Sequence, residues 1–242
     1  MLAFSALRRS VVAVAGLALA VCSVYVLTAS GADSPPPHRI LPADVDLASA
    51  APDSFLAEFQ TTKGAFTMKA RRVWAPLGVD RLYHLVKAGY FGGLSIYRVG
   101  ETKSVKGGRV VQFGQSGDTT MNHAWERATF ADEPVVHPHR RGSVGFARGG
   151  PATRSVEIAI TTNAAAPLDT VNYLGVVGFP TIADVEEGLD VLDRLEGRYG
   201  NAPIENDSLS ILGGSYLERA FPGLDKIVRA RVTRTWGRPP RH

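Results

Sequence analysis

The sequence predicts a mainly β protein whose architecture is a closed antiparallel β-barrel of about eight strands capped by two α-helices. Three observations predict it. Short apolar or alternating runs recur along the chain, set apart by glycine, proline, asparagine and aspartate. Only two stretches carry a helical apolar period. The runs also fail to alternate with helices, as a doubly wound parallel sheet would require. A barrel suits such strands because closure leaves no unpaired edge.

The first element precedes the barrel. Arg8 and Arg9 stand before an apolar run of 17 residues (11–27) that closes on "TASGAD", where Ser30 and Ala32 provide the small residues a signal peptidase needs. Residues 1–32 read as a signal peptide or a membrane anchor, since the run exceeds an ordinary signal core yet falls short of the roughly 20 residues of a spanning helix. Either reading makes the protein exported, periplasmic or secreted, with membrane attachment through residues 11–27 if the segment is retained. Cys22 is the only cysteine, and it follows Val21, larger than the small residue a lipidation signal favours. Cleavage after Ala32 would leave a chain without thiol chemistry. Residues 33–52 turn to Pro, Ala, Asp and Ser without apolar period and read as a disordered linker.

The barrel elements follow in order. In "FLAEFQTTKGAFTMKA", Phe55, Ala57 and Phe59 alternate, "TTKG" turns the chain, and Phe66 and Met68 resume the alternation, predicting a β-hairpin. "APLGVDRLYHLVKAGY" gathers Val79, Leu82, Tyr83 and Val86 on one helical face, behind Pro76 and ahead of Gly89. Five strand-like runs come next: "LSIYRV", "GRVVQFG", "GSVGFAR", "VEIAITT" and "LGVVGF". A second helix is predicted over "IADVEEGLDVLDRL", with Ile182, Val185, Leu189 and Leu192 on a common face. "DKIVRARVTRTW" closes the domain as a strand in which Val228, Ala230 and Val232 alternate. The folded unit is thus residues 53–236, followed by a basic tail, 237–242.

Composition and motifs narrow the chemistry. With 27 basic and 23 acidic residues the net charge is +4, and no concentrated basic stripe offers a nucleic-acid surface. "GQSGD" lacks the G-x-S-x-G spacing of a nucleophile elbow, so Ser116 reads as a turn residue. "GSVGFARGG" lacks the ending of a P-loop and the spacing of a dinucleotide site. His137 and His139 could share a metal from one side of "VVHPHRRG", but no third ligand accompanies them, and no cofactor is implied. The acidic run "ADVEEGLDVLD" reads as a solvated helix face. What stands out is Arg98, a lone cation inside the apolar "SIYRVG".

The order of the blocks is more specific than any one of them. A hairpin around "FQTTKGAFTM", a helix after "AP", then "GYFGGLSIYRV", "GRVVQFGQSGD", "ADEP", "HRRGSVGFAR", "SVEIAITT", "PLD", "LGVVGF" and "GLDVLDRL" together resemble the cyclophilin-type peptidyl-prolyl isomerases over about residues 55–232. The C-terminal "YGNAPIENDSLSILGGSYLERAFPGLDKIVRA" is similar to an extension of divergent bacterial members, here an exported one. The resemblance implies the barrel, no cofactor, and proline-containing polypeptides as substrates. It implies that Arg98 is the catalytic arginine and that Gln112 anchors substrate backbone and helps hold it, with Gln115 as a second alignment. Tyr97, Val110, Phe146, Ala147, Ile158, Leu168 and Asn172 fall at substrate-binding positions.

The chain also departs from that pattern. Ile96 and Tyr97 stand where the family has Phe-His, and Arg109 and Val110 where it has Phe-Met. Ser155-Val156-Glu157-Ile158 replaces Ser-Gln-Phe-Phe, losing a substrate-binding glutamine and the phenylalanine of the pocket floor. Pro167 replaces Trp or Arg, the pocket histidine is unmatched with Asn172 nearby, and "GETKSVKG" adds a basic loop at the groove rim. The expected function is isomerisation of X-Pro bonds during folding of exported proteins. The alternative is a catalytically weak peptide-binding or holdase module of the cell envelope, gripping acidic segments through Arg109, Lys103 and Lys106.

Overall fold

A computed structural model describes residues 39–102, 106–163 and 166–237 of the protein. The signal or anchor segment, the centre of the basic rim loop and residues 238–242 lie outside them. The strands are β1 (Ser54–Thr61), β2 (Gly64–Arg71), β3 (Ile96–Glu101), β4 (Arg109–Phe113), β5 (Ser143–Phe146), β6 (Ile158–Thr161), β7 (Asn172–Tyr173), β8 (Val176–Val177), β9 (Thr181–Glu187) and β10 (Ile227–Trp236). Eight of these form one sheet in the order β10-β1-β2-β9-β5-β6-β4-β3, and β7 pairs with β8 in a separate small hairpin. The ladders of the large sheet are antiparallel.

The sheet curls until its two edge strands meet at one end. There the Ile96 amide donates to the Asp225 carbonyl at 2.8 Å, and the Ile227 amide to the Leu94 carbonyl at 2.8 Å. Among the described residues no longer ladder joins β3 to β10, so the predicted closure is confined to that end. Inside the curl, Phe59 lies directly opposite Phe66 and stacks on it with ring centroids 5.2 Å apart. Phe91 and Phe113 approach the Phe59 ring at 5.4 and 5.8 Å. Burying each such ring stabilises the fold by about 1.5–3 kcal/mol.

Helix α1 (Pro76–Lys87) covers one mouth of the curl with Val79, Leu82, Leu85 and Val86 buried. Pro76 opens it, and the Glu133 carboxylate accepts from the Leu77 and Gly78 amides at 2.6 and 3.0 Å, satisfying donors that a helix start leaves orphaned. Gly78 permits close packing: a Cβ there would stand 2.8 Å from Ile182 Cγ2.

Three expectations are corrected. The described residues hold five α-helices rather than two: α1 is joined by α2 (Thr119–Glu126), α3 (Leu189–Asp193), α4 (Ser208–Leu212) and α5 (Gly214–Ala220). Asp118 caps α2 by accepting from the Thr120 and Met121 amides, a start signal written in "GDTT". The helix expected over "IADVEEGLDVLDRL" is instead strand β9 followed by the short α3. Gly188 divides them at φ 81°, and a Cβ there would lie 2.5 Å from the Ala65 carbonyl. The strand lies inside the sheet with residues 181–185 all buried, so its apolar residues carry no period that distinguishes strand from helix. Finally, the later half of the expected linker packs on the domain. Ile40, Val45 and Ala51 join the core, the Trp125 indole donates to the Ile40 carbonyl at 2.8 Å, and the Ala51 amide donates to Asp80. A few apolar residues anchored by hydrogen bonds suffice to seat an aperiodic segment.

Candidate functional site

Strand β3 is interrupted by a register shift between Ile96 and Arg98, after which Arg98 pairs directly with Gln112 of β4. Opposed residues share a face of the sheet, and these two meet: Arg98 Nη1 donates to Gln112 Oε1 at 2.9 Å. Arg98 Nε donates to Asn201 Oδ1 at 2.8 Å, and Nη2 to the Glu101 carbonyl at 2.6 Å. The arginine is only 9% exposed. Burial pulls its pKa below the ordinary value, and the nearby Glu157 carboxylate opposes that shift. A buried guanidinium is tolerated here because acceptors meet it in several directions.

Arg98 and Gln112 open onto a pocket of about 280 Å³. Val110, Phe146, Ala147 and Leu168, all expected from the sequence, line it with them. The structure adds His139, Arg148, Ala159, Tyr173 and Phe179. Arg148 holds the wall opposite: its Nη1 and Nη2 donate to the Gly178 and Val176 carbonyls at 2.6 and 3.0 Å, and its guanidinium lies 4.0 Å from the Phe179 ring centroid. Gly178, at φ 71°, makes room for that turn. His139 Nδ1 is 2.7 Å from Asp169 Oδ1, and burial lowers its pKa while Asp169 raises it. His137 instead stacks on Trp74 at 3.7 Å and meets Asp184, so the two histidines serve different neighbours.

Three expected substrate contacts lie elsewhere. Tyr97 is fully buried in a second cluster with Leu209 and Leu217 of α4 and α5, because the register shift turns it behind the site. Ile158 faces the main core, and Ala159, opposite Gln112, takes its place in the pocket. A one-residue slip in aligning a strand exchanges its faces. Asn172 is exposed and accepts from the Gly175 amide within the β7–β8 turn, leaving Tyr173 as the lining residue. Gln115 does not meet Arg98: its Nε2 donates to Glu157 Oε1 at 3.2 Å, and Gln112 is the glutamine that contacts the arginine.

Sequence reasoning missed Glu157, Asn201, Arg148 and His139. Arg148 stood in the quoted "GFAR", two residues beyond Phe146 and therefore on its side of an extended segment. Asn201 lies in the C-terminal extension, 103 residues from its partner, and carried no local signal.

Comparison with known proteins agrees with this fold. Residues 56–211 match the family model described as cyclophilin type peptidyl-prolyl cis-trans isomerase/CLD. Among solved structures the chain is similar to a cyclophilin type peptidyl-prolyl cis-trans isomerase of Cryptosporidium parvum, at 17% identity and TM-score 0.52, over 75% of this chain and 99% of that one. A structure of the same Cryptosporidium parvum isomerase in the presence of the dipeptide Ala-Pro matches at 15% identity and TM-score 0.50, over 74% of this chain and 99% of that one.

Proposed function

The chain belongs to the cyclophilin-type peptidyl-prolyl cis-trans isomerases, and from that premise we propose that it turns X-Pro bonds of exported polypeptides during their folding, with Arg98 as the group that acts on the twisting amide. The observation that carries the reading is the buried Arg98 guanidinium, fixed by Gln112 and Asn201 at the wall of an apolar pocket.

Amide resonance sets a rotation barrier of about 18–20 kcal/mol. As the bond twists, the prolyl nitrogen loses conjugation, pyramidalises and becomes a hydrogen-bond acceptor. A guanidinium N–H aimed at that nitrogen gains its bond only in the twisted state, which meets the requirement for lowering a barrier. Three of the five Arg98 donors are engaged by Gln112, Asn201 and Glu101 among the described residues. N–H groups on Nη1 and Nη2 serve the substrate. Phe146, Leu168, Phe179 and Val110 receive the prolyl ring and exclude competing water, while Ala147 and Gln112 offer polar contacts to the flanking backbone. The Ala-Pro dipeptide of the Cryptosporidium parvum structure supports a proline-containing segment as the occupant.

Export rests on Arg8, Arg9 and the apolar run 11–27, and N-terminal sequencing of the secreted form checks it. The isomerase reading is tested by proline-limited refolding with the wild type beside Arg98→Ala. Acceleration by the wild type that the variant lacks supports it, and equal acceleration by both overturns it. A second reading, a peptide-binding module with little turnover, draws on Ala159, a small side chain lining the pocket where the family pattern sets a phenylalanine, and on the exposed cations Lys106 and Arg109. It predicts salt-sensitive binding of acidic peptides without acceleration.

A further inference from the structure

We infer that Glu157 is a positioning residue for the reaction, its carboxylate fixing the Gln112 amide so that the carbonyl oxygen of that amide faces Arg98. The inference rests on the isomerase reading. A glutamine amide has an accepting end and a donating end, and flipped in place Gln112 would set N–H groups against the N–H groups of the guanidinium. Something must choose between the two orientations. Glu157 Oε2 lies 2.7 Å from Gln112 Nε2 and accepts the hydrogen bond that this amide nitrogen donates. The donating end is thereby held toward Glu157, and the accepting end toward Arg98 at 2.9 Å.

The carboxylate is itself fixed from behind. The Tyr97 hydroxyl donates to the same Oε2 at 2.7 Å, and Gln115 Nε2 donates to Oε1 at 3.2 Å. Tyr97 is fully buried, and burial together with Glu157 drives its pKa well upward, so the phenol remains a donor. The strands explain the meeting. Gln112 pairs with Ala159 across β4 and β6, and Glu157 precedes Ala159 by two residues, placing it on the same face and diagonal to Gln112. The result is a series from Tyr97 through Glu157 and Gln112 to Arg98, in which Glu157 is half-buried and the other three are buried. It sets the donor direction before substrate arrives, which is where preorganisation lowers a barrier. Tyr97, which fails as a substrate contact, finds its role here.

The test separates this role from fold support. In a Tyr97→Phe background, which leaves no hydroxyl orphaned, Glu157→Leu is expected to lower kcat for an X-Pro peptide about tenfold while KM stays within about twofold. Glu157→Gln, which still offers an acceptor to Gln112, is expected to recover most of the rate. In a Gln112→Ala background the Glu157→Leu change should cost nothing further in kcat, since it acts through the missing amide. Independently of activity, the Gln112 side-chain NH₂ resonances should be displaced in the wild type and collapse toward free-amide positions in Glu157→Leu. An unchanged kcat in Glu157→Leu, or an equal loss with and without Gln112, overturns the positioning role. A wild type with displaced Gln112 resonances that fails to accelerate isomerisation overturns the isomerase reading instead, with the amide geometry intact.

Discussion

Arg98→Lys separates the charge of the arginine from its shape. Arg98 bonds acceptors on three groups with Nε, Nη1 and Nη2, at 2.8, 2.9 and 2.6 Å. Lysine keeps the positive charge but has one nitrogen, a compact donor on a flexible stem rather than a planar fork. It cannot meet Asn201, Gln112 and the Glu101 carbonyl at once and still aim a donor at the prolyl nitrogen. A hydrogen bond from a charged group contributes about 1.5–3 kcal/mol, so losing one or two costs a few kcal/mol of local order, partly offset by entering water. The catalytic loss is that of one preorganised donor, about 2.7–4 kcal/mol or roughly 10²–10³ in rate. Isomerisation of an X-Pro peptide, followed by exchange spectroscopy or a coupled assay, should therefore slow about a hundredfold or more, with circular dichroism showing the fold retained. Activity within about threefold of wild type would mean that positive charge alone acts, and the geometric account of Arg98 would be wrong.

Gly178→Ala should both destabilise the domain, by more than about 1 kcal/mol for the left-handed φ alone, and weaken peptide affinity. Its Cβ would overlap the Asp169 carbonyl and Val135 and displace the turn that seats Arg148 and Phe179. Gly188→Ala, strained in the same way but at the β9–α3 junction, should lower the denaturant midpoint and leave kcat unchanged; equal effects of the two on kcat would show that the turn at 178 has no special link to the pocket. Because burial holds His139 below its ordinary 6.5, the folded state binds fewer protons than the unfolded chain, so stability is full above that value and is lost as pH falls below it. Thermal midpoints over about pH 5 to 8 should show this acid-side loss shrink in His139→Asn, and an unaltered profile would remove His139 as its source. Arg109→Ser should reduce the salt dependence of acidic-peptide binding without slowing a neutral X-Pro peptide, since Arg109 is exposed beside Val110 rather than in the pocket; an unchanged salt dependence would acquit the rim.

The parts of this molecule that its sequence displays are those set by neighbours along the chain. Phe55, Ala57 and Phe59 alternate because one face of β1 is buried, and the helix over Pro76–Lys87 shows its period because only one side meets the sheet. Where both faces are buried, as in β9, the period vanishes and a strand passes for a helix until Gly188 breaks it. The site divides along the same line. Arg98 and Gln112 face each other across one ladder, and each sits in a short apolar run that makes a polar residue conspicuous. Tyr97 and Ile158 were misplaced because a single register step decides which side of a strand a residue serves, and neither the shift at Ile96 nor the opposition of Ala159 to Gln112 is written locally. Asn201 and Glu157 were out of reach for a stronger reason. They join residues 103 and 45 positions away, and their effect on Arg98 exists only once the curled sheet and the extension are in place. A buried cation must collect acceptors from wherever the closed fold brings them. The residues that orient the arginine are therefore less legible than the arginine itself, although its direction depends on them.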